Sequence, residues 1–121
     1  MAGKYFGGCD VGSTTGKAVI LDETGTIMAF SIVPSEIDPE QTSILALEKA
    51  SAQVPAMRSY RDIAYLVGTG YGRNEVAFAD KNVSEISCHA MGTFSCNPAV
   101  KTIIDIGGQD VKAIALDGDG S

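Results

Sequence analysis

The sequence predicts an α/β domain built on three antiparallel strands followed by α/β crossovers. Three observations carry the prediction. Short apolar, β-branched runs lie on either side of glycine turns in the first 33 residues. A helix start is written at Asp38-Pro39-Glu40, and a second helical stretch lies near residues 86–94. An Asp followed by a glycine turn occurs twice, at Asp10-Val-Gly-Ser-Thr-Thr-Gly-Lys17 and at Asp105-Ile-Gly-Gly-Gln-Asp110.

Residues 5–10 read as a first strand. Residues 17–22 and 26–33 read as two more, joined by the hairpin turn Glu23-Thr24-Gly25 and closed by Pro34. Asp38 is placed as an N-cap, Pro39 at the first helical position and Glu40 in the first turn. Ile44, Leu45, Leu47 and Ala50 follow at helical spacing, and Pro55 stops the run. A buried strand over 62–67 leads into Gly68-Thr-Gly-Tyr-Gly72. A short helix is expected around Asn74–Ala79, then an extended piece over Val83 to Glu85. A helix over Ile86–Phe94 follows, with Asn97-Pro98 beyond its end. Strands over 101–106 and 111–116 flank the second glycine turn. The order β-β-β-α-β-α-β-α-β-β is the ribonuclease-H-like layout, and its last two strands resemble the start of the same layout again.

Composition narrows the function. A net charge of −6 argues against a basic patch for nucleic acid or membrane surfaces. No apolar run approaches the ~20 residues of a membrane helix, and the N-terminus runs into a strand without a signal peptide. Three cysteines without paired spacing suggest a reducing cytoplasm, where the sequon Asn82-Val83-Ser84 has no meaning. The chain ends on a turn signal, Asp117-Gly-Asp-Gly-Ser121, with no strand after it, which reads as a fragment of a longer protein.

The turn at residues 10–17 is not a P-loop. Three residues, not four, separate Gly12 from Gly16, Ala18 stands where Ser or Thr should bind Mg²⁺, and a strand follows rather than a helix. It is either a plain hairpin or a phosphate-holding one. In the second case backbone N–H groups and the hydroxyls of Ser13, Thr14 and Thr15 contact phosphate, with Lys17 close by. Gly68-Thr-Gly-Tyr-Gly72 lacks the dinucleotide spacing. It is a flexible strand-to-helix turn, or a loop lining a phosphate cleft. Glu85 is a solvated helix-start carboxylate or one aimed at metal or water. His89 alone reads as structural rather than catalytic. Cys9, Cys88 and Cys96 match no tight cluster motif and read as buried structural thiols. Asp105-Ile-Gly-Gly-Gln-Asp110 is the strongest motif. Its strand-end carboxylate can hold Mg²⁺, Gly107 and Gly108 leave phosphate unobstructed, and Gln109 can orient water.

Together, Asp-x-Gly-Ser-Thr-Thr, Gly-Tyr-Gly-Arg, Ser-Glu-Ile-Ser-Cys-His-Ala and Ile-Ile-Asp-Ile-Gly-Gly-Gln-Asp resemble the BadF/BadG/BcrA/BcrD ATPases. These are activators of 2-hydroxyacyl-CoA dehydratases and ATPase subunits of benzoyl-CoA reductases, of the acetate kinase, sugar kinase, heat-shock chaperone and actin superfamily. The resemblance runs from about Tyr5 to Leu116 and is most specific over Ser84–Ala90 and Ile103–Lys112. It implies that Asp10 and Asp105 are the aspartates near Mg²⁺. Gly12, Ser13, Thr14, Thr15 and Lys17 would then form one ATP phosphate loop, and Gly107, Gly108 and Gln109 the other. Glu85 and Gln109 would position metal and water for hydrolysis. It also implies a first domain over residues 1–98, with 99–121 opening a second. ATP hydrolysis would drive a low-potential electron from a [4Fe–4S] cluster, held in a homodimer or by a related ATPase subunit, to an acyl-CoA dehydratase or aryl-CoA reductase. The family's cluster cysteines lie downstream of residue 121, so none of the three cysteines here is a ligand. Alternatives are a kinase of the same superfamily, acting on a sugar or carboxylate, and a non-catalytic binding module.

Overall fold

The computed structural model describes residues 3–70, 79–106 and 111–117. They form two compact units, residues 1–82 and 83–121.

The first unit is a five-stranded sheet with one face covered by a helix. Strands β1 (Tyr5–Val11), β2 (Thr15–Leu21) and β3 (Ile27–Pro34) are antiparallel. Helix α1 (Pro39–Ser51) follows, and a 3₁₀ turn (Tyr60–Asp62) leads into β4 (Ile63–Thr69), which runs parallel to β1. A two-residue β5 (Lys81–Asn82) pairs parallel to β4, so the strand order is β3-β2-β1-β4-β5. This is the expected topology: an N-terminal meander with a parallel crossover added on the other side of β1.

Element ends differ from the sequence reading in ways that matter. Strand β2 begins at Thr15, so Thr15 and Gly16 are ladder residues and the open turn shrinks to Gly12–Thr14. Strand β3 runs through Pro34, which pairs with Thr15. That is tolerated because β3 is the sheet edge, where a missing N–H leaves no ladder bond unmade. At the β2–β3 turn, Gly25 has φ 86°, a left-handed conformation that favours glycine. Asp22 Oδ1 accepts from Thr24 N (2.9 Å), Thr24 Oγ1 (2.7 Å) and Thr26 N (3.0 Å), which lowers its pKa.

Helix α1 starts as predicted. Asp38 is the N-cap and accepts from Glu40 N at 3.0 Å, with Pro39 in the first turn. Its buried stripe, however, is Thr42, Ser43, Ala46, Leu47 and Ala50, while Ile44 and Leu45 are only half-buried. Small side chains win here because the helix approaches the sheet closely at Gly16. A Cβ on Gly16 would meet the Thr42 Cγ2 methyl. The buried hydroxyls are satisfied locally: Ser43 Oγ donates to Glu40 O, Thr42 Oγ1 accepts from Glu36 N, and Ser31 Oγ donates to Ala46 O. Around them pack Cys9, Val11, Ala18, Ile20, Ala29, Val54, Met57 and Leu66. The opposite face carries exposed Met28, Phe30, Ile32 and Tyr65.

The second unit consists of helix α2 (Glu85–Cys96) and the antiparallel hairpin β6 (Thr102–Ile106) and β7 (Val111–Ala115). The extended piece expected over 83–85 lies at Lys81–Asn82 instead. Ser84 is the N-cap, its Oγ accepting from Ser87 N, so Glu85 is the first helical residue. The helix expected around Asn74–Ala79 lies outside the described residues except for Ala79, which has no regular structure. No helix among the described residues is long and apolar enough to cross a membrane.

Gly16→Ala should destabilise the protein by about 1–3 kcal/mol through overpacking against Thr42, read as a lower denaturant midpoint at unchanged m-value.

Candidate phosphate-binding hairpins

Each unit carries one acidic glycine hairpin, and in each the aspartate stands at a strand end opposite a lysine. In the first, Asp10 and Lys17 are cross-strand partners between β1 and β2, with Lys17 Nζ 3.6 Å from Asp10 Oδ2. Period-2 alternation puts Asp10 and Lys17 on the face opposite α1, while Cys9 and Val11 enter the core. The Gly12–Thr14 bend is closed by Gly12 N donating to Thr15 O at 2.9 Å. It is buttressed by Ser35, whose N donates to Thr14 O (3.0 Å) and whose Oγ donates to Gly12 O (2.8 Å). Ser13 and Thr14 remain exposed, with their hydroxyls available to a ligand. Lys17 Nζ also donates to Thr15 O at 3.3 Å.

The end of β4 completes this surroundings. Thr69 is the register partner of Asp10. Next to it Gly70 has φ +96°, and a Cβ there would meet the Asp10 carboxylate, Val11 O at 2.6 Å and Val11 N at 2.7 Å. Gly70 is therefore required twice, by its backbone conformation and by its approach to Asp10. The turn at Gly68-Thr69-Gly70 is thus packed closely on the end of β1 rather than merely flexible. Tyr71 and Gly72 lie outside the described residues. The Thr69 Oγ1 atom is buried without a hydrogen-bond partner among the described residues.

In the second unit, Asp105 and Lys112 are cross-strand partners between β6 and β7. Lys112 Nζ lies 3.8 Å from Asp105 Oδ2 and 3.9 Å from Glu85 Oε2. His89, one turn into α2 from Glu85, brings Nε2 to 3.5 Å from Asp105 Oδ2. The structure thus joins Asp105 and Glu85, which the sequence singled out separately. It adds Lys112 and His89, the first unremarked as a site residue and the second read as structural. The signal for Lys112 was present: both hairpins read Asp-x-Gly-x-x-x-x-Lys, placing Lys17 and Lys112 each seven residues after their aspartates. Gly107, Gly108 and Gln109 lie outside the described residues.

Two other features are set apart from these hairpins. A cavity of about 590 Å³ opens on the α1 side of the first unit, lined by Glu40, Ile44, Tyr60, Arg61, Ile63 and Leu66 among others. It contains no predicted site residue. Of the three thiols only Cys9 is buried; Cys88 is half-buried and Cys96 exposed, which corrects the expectation of three buried thiols. Cys96 falls at the solvated end of a helix that buries only Ala90. Burial, then the neighbouring Asp10 charge, pushes the Cys9 thiol up to about 11.

The chain has the ribonuclease-H-like α/β fold of the actin-like ATPases. Its structure matches (R)-2-hydroxyglutaryl-CoA dehydratase component A of Acidaminococcus fermentans with a TM-score of 0.87 at 39% identity, covering 98% of this chain and 44% of that one. It matches the activator of 2-hydroxyisocaproyl-CoA dehydratase from Clostridium difficile, solved with bound ADPNP, with a TM-score of 0.86 at 42% identity over 96% of this chain and 42% of that one. The PPX-GPPA enzyme of Aquifex aeolicus, at 13% identity and TM-score 0.55, shares the fold alone. In sequence the chain is 47% identical over 119 residues to the activator of lactoyl-CoA dehydratase of Anaerotignum propionicum, covering 96% of this chain and 44% of that protein. The model of the BadF/BadG/BcrA/BcrD ATPase family matches residues 8–121, and the chain belongs to that family. It spans less than half the length of these relatives.

Two outcomes follow from the geometry. Gly70→Ala should destabilise the protein by about 1–3 kcal/mol, because backbone strain and the contact with Asp10 coincide; a lowered denaturant midpoint checks this. Cys9 has a folded pKa raised above its ordinary 9.0. Its contribution to stability is therefore complete below pH 9 and is lost as pH rises through about 11. Alkylation at pH 8 should label Cys96 first and Cys9 last.

Proposed function

We propose that the whole protein hydrolyses Mg-ATP to drive a low-potential electron to a 2-hydroxyacyl-CoA dehydratase or a benzoyl-CoA reductase. In this reading the present chain supplies phosphate-binding residues from both hairpins. The observation that carries it is the pair of strand-end aspartates, each in a glycine hairpin and each matched to a lysine, in a chain 42% identical to an activator solved with ADPNP. Residues 1–98 would be the first domain of the whole protein and 99–121 the opening of the second.

The donor chemistry suits Mg²⁺. Asp105 and Glu85 are hard oxygen donors close enough to share one ammonium at 3.8 and 3.9 Å, and Asp10 offers another carboxylate at the first hairpin. Among the described residues no three His, Cys, Asp or Glu side chains form a ready-made metal cage. In this reading Mg²⁺ would be held by one or two carboxylates, water and the nucleotide's own phosphates. Bound there, the ion would neutralise charge on the phosphates. The chain's own residues do the rest. Gly12 and the exposed Ser13 and Thr14 present donors to phosphate, with Thr15, Lys17, Gly107, Gly108 and Gln109 as further phosphate contacts. Glu85 and Gln109 orient the attacking water.

The described residues do not fit an iron–sulfur cluster. Cys9 is buried in the sheet, Cys88 is half-buried on α2 and Cys96 is exposed at its end, and no such group converges. A [4Fe–4S] cluster, if the whole protein carries one, takes its ligands from elsewhere, and no step here is routed through it. A homodimer or related ATPase subunit as cluster partner and a cytoplasmic location complete the proposal.

Asp10→Ala and Asp105→Ala should each abolish ATP turnover by the whole protein, measured as steady-state phosphate release with Mg²⁺ present. Full activity in either variant refutes the assigned roles. The 121-residue chain alone should bind ATP weakly or not at all, and micromolar affinity by calorimetric titration would contradict this.

A further inference from the structure

We infer that Lys112 is a second phosphate-side cation, held in reserve on Asp105 and Glu85 and transferred to the nucleotide when Mg²⁺ takes those carboxylates. This rests on the proposed function above and goes beyond it, since it gives a role to a residue of the strand leaving the second hairpin. Three observations carry it.

The first is the ion-pair geometry. One ammonium is shared between two carboxylates from different elements, Asp105 on β6 and Glu85 at the start of α2, at 3.8 and 3.9 Å. These distances exceed those of a tight charge-assisted hydrogen bond, so the ammonium neutralises the pair without being locked to either member. The second is exposure. Lys112, Asp105 and Glu85 side chains are 24%, 19% and 31% exposed. All three are thus mostly covered yet still partly open to solvent, so an incoming ion can reach them. The third is the match between hairpins. Lys17 stands to Asp10 as Lys112 stands to Asp105, cross-strand in register and seven residues on. The phosphate contact proposed above for Lys17 extends by the same geometry to Lys112.

A divalent ion held by Asp105 and Glu85 would compete with the ammonium for the same carboxylate oxygens. The four-carbon stem of lysine then lets the displaced cation follow the incoming anion. Lys112 is thus a competitor of metal without nucleotide and an ally of the metal–nucleotide complex.

The two roles predict opposite shifts, which a merely structural ion pair does not. In the whole protein, Lys112→Met should bind Mn²⁺ alone about tenfold more tightly and Mn-ADPNP about tenfold more weakly than wild type, by electron paramagnetic resonance titration and calorimetry. Lys112→Arg, which keeps the charge, should leave the affinity for Mn²⁺ alone unchanged. Circular dichroism checks the fold, and Lys112→Gln replaces the methionine variant if that one does not fold. Unaltered Mn-ADPNP affinity in a folded Lys112→Met or Lys112→Gln protein overturns the inference and leaves the proposed function standing. Failure of the wild type to bind Mn-ADPNP overturns both.

Discussion

Strand β1 is the constraint on which the first unit depends. It is hydrogen-bonded on both sides, antiparallel to β2 and parallel to β4. Double pairing leaves no freedom of register, because a one-residue slip would put Asp10 into the core and Cys9 outside it. The same pairing brings Lys17 from one side and Thr69 with Gly70 from the other. A carboxylate at the end of a central strand is thereby fixed by the backbone ladder and needs few side-chain contacts of its own.

The second unit reaches a similar arrangement with fewer elements. The hairpin alone pairs Asp105 with Lys112, and the first turns of α2 add Glu85 and His89. Acidic groups are common at a helix N-terminus, where the helix dipole and its unpaired N–H groups favour them, and Glu85 is the first residue of α2. The outer face of the hairpin exposes Ile104, Ile106 and Val111, and the first sheet exposes Met28, Phe30 and Ile32.

The cavity beside α1 and the hairpins illustrate why concavity is a poor guide here. Asp10, Lys17, Asp105, Lys112 and the exposed hydroxyls of Ser13 and Thr14 are not among the residues that line the cavity. A phosphate site of the kind proposed for the hairpins would be built from backbone N–H groups at strand ends and would need no enclosed apolar volume.

Much of this was legible in the sequence because local chemistry and tertiary position agreed. Short apolar runs between turn signals located β1 to β4, Asp38-Pro39 started α1, and the two Asp-x-Gly turns marked both hairpins. The structure alone decided three things. It chose Thr42, Ser43 and Ala46 over Ile44 and Leu45 as the buried side of α1, since the nearness of Gly16 admits only small groups. It explained Gly70, whose need depends on an Asp10 sixty residues earlier. It joined Glu85, His89, Asp105 and Lys112, which are adjacent only because α2 begins against the β6–β7 hairpin. Periodicity and caps are properties of neighbouring residues and can be read along a chain. Close approach and shared charge are properties of pairs far apart in sequence, and only folding brings those pairs together.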